Sequence, residues 1–312
     1  MPAFTRRTGS IISDDAKQRI AALRRYPTID TWRNPLTRSI ARRLSNDAWR
    51  KTLGKIDFDY RFTAAEVAGV PCTQYETAGS SPEGALIFYV HGGGFTAGSA
   101  ETSAANVLPV CHLSGSEGLG VDYTLLPDAY FPTQIDEVDR VYRALVEASP
   151  DRKIFLLSDS TGSAIALAAL MRWRKDGVLS PAGAIFLSPS IDGKGASDTQ
   201  ITNDRHDPLI PSAGGRFVRQ LFNFYAPNAK PDDPAVSPIY GKFDDLPPFM
   251  IHVGSREVLL GDAARLAEAA REAGVEVHLR VFDGMFHRFH MHWSMEEARK
   301  AHGDLADFVR TL

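Results

Sequence analysis

Apolar positions along this 312-residue chain fall into two rhythms that alternate. Residues 85–90, 154–157, 184–187 and 249–253 form short continuous apolar runs, the pattern of strands covered on both faces. Between such runs the spacing becomes helical. The stretch 136–148 puts Val138, Val141, Leu145 and Val146 on one side, and further helices are predicted over 262–273 and 294–311. Residues 118–123 read as another strand, and 275–282 alternates as an edge strand does. Strand-then-helix repetition of this kind predicts an α/β fold: a central, mainly parallel sheet of about eight strands flanked by helices.

The ends of the pattern differ from its middle. To about Leu53 the chain reads as helical. One segment starts at Asp14 with Ile20, Ala21 and Leu23 and ends at Tyr26-Pro27; a second runs through Ile40, Leu44 and Trp49. Two extended pieces, 58–62 and 70–75, then look like an antiparallel start to the sheet. The stretch 192–248 is rich in Gly, Pro and Asp and holds one amphipathic helix with Phe217, Leu221, Phe222 and Tyr225. The expected organisation is an N-terminal helical segment at 1–55 and a main α/β domain at 56–312, with an insertion at about 192–248; the helical segment and the insertion would cap the domain.

Composition narrows the class. Hydrophobic content of 44% and charged content of 23% suit a soluble protein with a large core. No run of about 18 apolar residues is present, so no stable membrane insertion is expected. Met1 to Ile12 carries two arginines without an apolar stretch behind them, which does not read as a secretory signal. Cys72 and Cys111 offer neither a disulfide framework nor metal-ligand spacing, and the expected location is cytoplasmic. A net charge of −3 speaks against a general nucleic-acid binder. The charge is uneven, however: residues 1–55 hold 13 basic against 4 acidic side chains, leaving −12 for the remainder. The plain reading is a solvated helical face on an acidic body. The sharper one is a surface that meets anionic lipid, a partner subunit or an acidic substrate.

The chemistry concentrates where the apolar run 154–157 leads through Ser158-Asp159-Ser160-Thr161-Gly162 into a helix-forming stretch. A strand that turns abruptly into a helix holds the serine hydroxyl proud of the sheet, above a helix N-terminus that favours negative charge. Acyl transfer also needs a base, a group to orient it and donors for the oxyanion. His287 follows the last alternating strand. Glu257 lies in the loop after the preceding one. Gly92 to Gly94, directly after a strand and behind His91, can bring backbone N–H groups close to a substrate, and Thr161 adds the N–H after the nucleophile. Asp262 competes with Glu257 for the acid role, but its position suits a helix N-cap. His287, His290 and His292 have a spacing that invites a metal, yet no carboxylate-rich partner motif accompanies them, so no metal and no cofactor are expected.

The ordered set His91-Gly92-Gly93-Gly94, Ser160, Glu257 and His287 resembles the hormone-sensitive-lipase-like branch of the α/β-hydrolases, the bacterial carboxylesterases with an HGGG motif. Supporting matches are 122–128 with Phe131-Pro132, 188–192, Asp207-Pro208-Leu209 and 233–238. The resemblance runs from about residue 56 to the C-terminus. It implies a Ser160, Glu257 and His287 triad, an oxyanion hole from the N–H groups of Gly93, Gly94 and Thr161, and supporting roles for His91, Gly92, Asp159 and Gly162. The implied reaction is hydrolysis of carboxylic esters of short to medium acyl chain through an acyl-enzyme. Lactones, amides or carbamates are alternative substrates, and a non-catalytic binding protein on the same scaffold is a further alternative. Phe217, Phe222, Tyr225 and Trp32 are expected at the substrate pocket. The partner is a small-molecule ester, and a homodimer is left open. Three residues depart from the family pattern: Ser158 and Ser163 replace glycines, and Arg288 follows the base where a small residue is common. A cation at 288 is expected to lower the His287 pKa.

Overall fold

The computed structural model describes residues 12–312. The stretch read above as lacking a secretory signal lies almost wholly outside the described residues. Three helices open the chain, α1 (Asp14–Ala22), α2 (Ile29–Arg33) and α3 (Pro35–Leu53). Strands β1 (Tyr60–Val67), β2 (Val70–Thr77) and β3 (Leu86–Val90) follow. Then come α4 (Leu108–Ser114), β4 (Glu117–Val121), α5 (Thr133–Ala148), β5 (Ile154–Asp159), α6 (Gly162–Asp176) and β6 (Gly183–Leu187). The chain finishes with α7 (Thr199–Thr202), α8 (Arg216–Tyr225), β7 (Phe249–Gly254), α9 (Leu260–Glu272), β8 (Val277–Phe282) and α10 (Glu296–Thr311).

The eight strands form one sheet in the order β1-β2-β4-β3-β5-β6-β7-β8. β2 is antiparallel to both β1 and β4; every later pairing is parallel. Parallel strands must be covered on both faces, and β3, β5, β6 and β7 are accordingly buried throughout. One apolar core lies beneath α5, α6 and α9 and a second beneath α4 and α10, while a third packs α1 against α10 and the loops after β7 and β8. Cys72 and Cys111 are free and buried within these layers.

Two sequence expectations shift in register. α1 stops at Ala22, short of the Tyr26-Pro27 pair, because Leu23 turns extended at ψ 151°. The extended chain lets Tyr26 N–H donate to Leu209 O at 2.7 Å and carries its ring over the site. β1 likewise begins at Tyr60, not at Phe58. The helix α4 was not anticipated; its Pro109 sits in the first turn, where a missing N–H costs nothing.

The N-terminal helices are fastened to the body by polar contacts. Ser13 donates from N and Oγ to Glu297 of α10 at 2.7 and 2.8 Å. Arg42 donates to the carbonyl oxygens of Thr96 and Leu126, both at 2.7 Å. No helix among the described residues is long and apolar enough to cross a membrane.

Candidate active site

β5 ends at Asp159 and α6 begins at Gly162, so Ser160 and Thr161 make the whole reversal. Ser160 has φ +50°, a left-handed conformation that side chains seldom adopt. Backbone bonds hold it there. Its N–H donates to Leu187 O at 2.9 Å, and its carbonyl oxygen accepts from Ser163 and Ser190 at 3.1 and 3.0 Å. The bend also needs empty space beneath it. A Cβ on Gly162 would meet the carbonyl oxygens of Val90 and His91 at 2.4 Å, and one on Gly92 would come within 2.8 Å of Ser160 Cβ. Ser158 and Ser163, the two departures at the bend, answer each other: their hydroxyls lie 3.1 Å apart in the core.

The resulting hydroxyl faces an imidazole. His287 Nε2 lies 3.0 Å from Ser160 Oγ, and Nδ1 lies 2.9 Å from Glu257 Oε2. The second carboxylate oxygen of Glu257 accepts from Ser188 Oγ at 2.8 Å and from Gly254 N–H at 2.6 Å. These bonds fix the carboxylate plane and thereby the ring. The three groups come from the loops after β5, β7 and β8, all at the carboxyl end of the sheet. Asp262 is elsewhere. It sits inside α9, whose N-cap is Leu259, so the N-cap reading is corrected. Its carboxylate accepts from Ser197 Oγ at 2.9 Å and Ile191 N–H at 3.3 Å, and burial together with the Asp192 charge pushes its pKa to about 7.

The expected oxyanion donors line the same pocket as Ser160. Gly94 N–H donates to Thr161 Oγ1 at 3.0 Å in this resting arrangement. The N–H groups of Gly93 and Thr161 carry no hydrogen bond among the described residues, which leaves them free to donate. His91 lies under the loop, stacked 4.3 Å from Tyr123 with Nδ1 2.7 Å from Gly92 O, while the imidazole that meets Ser160 Oγ is that of His287. Burial holds its pKa below the ordinary value.

Arg288 behaves differently from its expectation. It is 3% exposed, and its Nε lies 2.6 Å from Asp159 Oδ2. The other oxygen of Asp159 accepts from Tyr89 Oη at 2.5 Å and Gly92 N–H at 3.0 Å. The guanidinium also packs over the Trp49 ring at 4.5 Å and donates to Ser103 Oγ at 3.1 Å. Its charge is therefore answered by a buried carboxylate, and it does not stand as a bare cation beside His287. Asp159 ties the loop after β3, the bend and the His287 loop together. Sequence reading marked Asp159 only as motif support. The signal that could have assigned it was a buried-type acid and an unexpected arginine in two loops known to converge.

The pocket over Ser160 is a cavity of about 60 Å³. Of the expected lining residues, Phe217 and Trp32 are there; Phe222 and Tyr225 are not. Those two lie on the core side of α8, packed on Phe95 with ring centroids 5.5 and 4.0 Å away. Val218 and Leu221, from the same apolar face of the helix, line the cavity instead, with Tyr26 and Trp49 across from them. The amphipathic period identified the helix but not which apolar edge faces solvent space. Asp207 was also undervalued. Its carboxylate accepts from Leu209, Ile210 and Val258 N–H groups at 2.8, 3.0 and 3.0 Å, bracing the loop that carries Glu257. The histidines at 287, 290 and 292 do not converge. His290 packs against His252 and His302, with centroids 5.6 and 6.0 Å away, and His292 accepts from Arg19.

Residues 87–291 match the family described as the alpha/beta hydrolase fold. The chain belongs to the α/β-hydrolase family. It is 34% identical over 249 residues to an esterase of Acinetobacter venetianus, covering 79% of this chain and 80% of that protein. An acetyl-hydrolase of Streptomyces hygroscopicus is 32% identical over 244 residues, with 77% and 80% covered. Among solved structures, an esterase from the bacterial hormone-sensitive lipase family superposes with TM-score 0.81 at 30% identity, covering 95% of each chain. A hormone-sensitive lipase from a metagenome library gives 0.80 at 28% identity, with 95% and 97% covered. The resemblance to the hormone-sensitive-lipase-like branch is borne out.

Proposed function

We propose that this α/β-hydrolase is a serine carboxylesterase that hydrolyses small carboxylic esters through an acyl-enzyme on Ser160. The observation that carries the reading is the unbroken line from Ser160 Oγ to His287 Nε2 at 3.0 Å and from Nδ1 to Glu257 Oε2 at 2.9 Å. Relatives named esterase and acetyl-hydrolase support the same chemistry.

In the proposed sequence His287 takes the hydroxyl proton as Ser160 Oγ bonds to the ester carbonyl carbon. Glu257 holds the ring in the correct tautomer and stabilises the imidazolium. The oxyanion turns to the N–H groups of Gly93, Gly94 and Thr161, with Gly94 exchanging its bond to the Thr161 hydroxyl for one to the oxyanion. The carbon–oxygen bond to the alcohol half then breaks, and His287 gives that oxygen its proton. Water repeats the steps on the acyl-enzyme, releasing the acid and restoring the serine. The helices of residues 12–55 and the insertion at about 192–248 serve as the cap over this site.

A cavity of about 60 Å³ holds a couple of water-sized groups, which favours acetyl over longer chains. A p-nitrophenyl ester series from acetate to octanoate, run on the purified chain and on Ser160→Ala, tests this. The expected result is kcat/KM highest for acetate and falling as the acyl chain lengthens in the native chain, and no turnover in the variant. Turnover that survives Ser160→Ala overturns the assignment.

A further inference from the structure

His287 borders a second chamber. A cavity of about 450 Å³ lies between α1, residues 23–27 and α3, and it shares Tyr26, Ser45, Trp49, His287 and Arg288 with the pocket over Ser160. Its charged lining has one sign. Arg19, Arg24, Arg25 and Arg288 contribute, and no Asp or Glu does, among the described residues. Arg25 is held by Asp204, with Nη1 3.7 Å from Oδ1, and Arg288 is held by Asp159. The other two have no carboxylate partner among the described residues. Arg19 donates to His292 Nδ1 at 3.1 and 2.9 Å, and burial pushes the His292 pKa down to about 3, so that ring is neutral. Arg24 is exposed and donates only to the carbonyl oxygens of Ala21 and Leu23 at 3.3 and 2.8 Å.

A further donor is waiting in the wall between the chambers. Arg288 is 3% exposed; besides Asp159 and Ser103 its guanidinium faces the Tyr26 hydroxyl, and its Nη1 makes no well-formed hydrogen bond among the described residues. A buried guanidinium N–H left unpaired is costly until an acceptor reaches it, and it prefers a charged one. The chemistry fixes which half of an ester would come here. Since His287 hands its proton to the leaving oxygen, the alcohol half departs on the His287 side, while the acyl half stays by Gly93, Gly94 and Thr161.

Resting on the esterase reading above, we infer that the preferred substrates are esters whose alcohol half carries an anionic group, a carboxylate or a phosphate, seated in the chamber of Arg19, Arg24 and Arg288. The reaction remains ester plus water to acid plus alcohol, and the charged group takes no part in bond making. Its contribution is to binding and orientation. The N-terminal excess of basic residues thereby acquires a use at the site.

The test compares three acetates on one phenyl frame: 4-acetoxybenzoate, 4-acetoxyphenyl phosphate and the neutral 4-acetoxybenzamide. The quantity read is the anion-to-neutral ratio of kcat/KM, which removes effects common to all three. In Arg24→Glu that ratio should fall about tenfold, mostly through KM, because a repelling charge replaces an attracting one. Added salt should lower it severalfold in the native chain. Arg24 is exposed, so this variant folds normally; Arg19→Gln should lower the ratio in the same direction. The larger of the two anion ratios tells carboxylate from phosphate. Binding of 4-hydroxybenzoate to Ser160→Ala, followed by calorimetry, gives a readout free of turnover and should weaken in Ser160→Ala/Arg24→Glu. Acetates hydrolysed without charge preference, with ratios that move less than about twofold in both variants, overturn the inference and leave the esterase reading intact. Arg24-dependent binding of 4-hydroxybenzoate with no acetate hydrolysed overturns the esterase reading and leaves the anion site standing.

Discussion

Replacing Arg288 by methionine should destabilise this protein far more than a surface arginine would. The side chain is 3% exposed, and Asp159, its partner at 2.6 Å, is 0% exposed. Taking away the cation leaves a carboxylate without counter-charge in a place water does not reach. Breaking a buried pair in this way costs about 3–5 kcal/mol. The loss of packing over Trp49, at 4.5 Å, adds to it. Asp159 retains two donors, Tyr89 Oη and Gly92 N–H at 2.5 and 3.0 Å, which place the expected cost toward the lower end. The assay is urea denaturation of the native chain, Arg288→Met, Asp159→Asn and the double variant. The double variant should recover at least about 1.5 kcal/mol of the summed single losses, since neither buried charge then lacks its partner. Single losses that simply add would refute the claim that these two groups answer each other.

Three other outcomes follow from the same geometry. Glu257→Gln should lower kcat by roughly 10² to 10⁴ through the wrong tautomer of His287, whereas Asp262→Asn should leave kcat within about threefold; steady-state kinetics on both variants decides, and the reverse pattern would move the acid role to Asp262. Gly162→Ala should cost about 2 kcal/mol or more, because the added methyl would sit 2.4 Å from two carbonyl oxygens; an unchanged urea midpoint would contradict the close approach. Stability should fall as pH drops below about 6.5, since burial depresses His252 to about 3, His292 to about 3 and His302 to about 4. The unfolded chain binds these protons first, so each ring removes roughly 1.4 kcal/mol per pH unit until its folded value is reached. Asp262, raised to about 7, and Asp207, also raised by burial, work in the opposite direction but are two groups against five, since burial lowers His91 and His290 as well. A urea midpoint that stays flat from pH 7 to about pH 5 would refute the sign.

The sheet and the position of Ser160, Glu257 and His287 were legible because they obey local rules. Buried parallel strands must be continuously apolar, and a strand-to-helix bend needs small residues around its apex. The order of serine, acid and histidine along the chain then put the three in neighbouring loops. What escaped was set by tertiary contact. Phe222 and Tyr225 share a helix with Leu221, and only the packing against Phe95 decides which edge of α8 meets the pocket. Arg288 looked like a bare cation because Asp159, more than a hundred positions earlier, supplies its counter-charge only in the fold. Ser158 and Ser163 looked like two separate departures from glycine, yet each is the other's hydrogen-bond partner. Asp262 looked like a cap because sequence shows where a helix could start, not where neighbouring residues start it; α9 begins at Leu260.

The central claim, that the Ser160 hydroxyl carries the acyl group, is tested most directly by rapid acid quench of the chain during turnover of p-nitrophenyl acetate, followed by peptide mass analysis. The account predicts one acetyl group on the peptide containing Ser160, its absence in Ser160→Ala, and its loss or sharp reduction in a variant that has lost His287. Product released in a burst with acetyl on another residue, or with none on the protein at all, would contradict it.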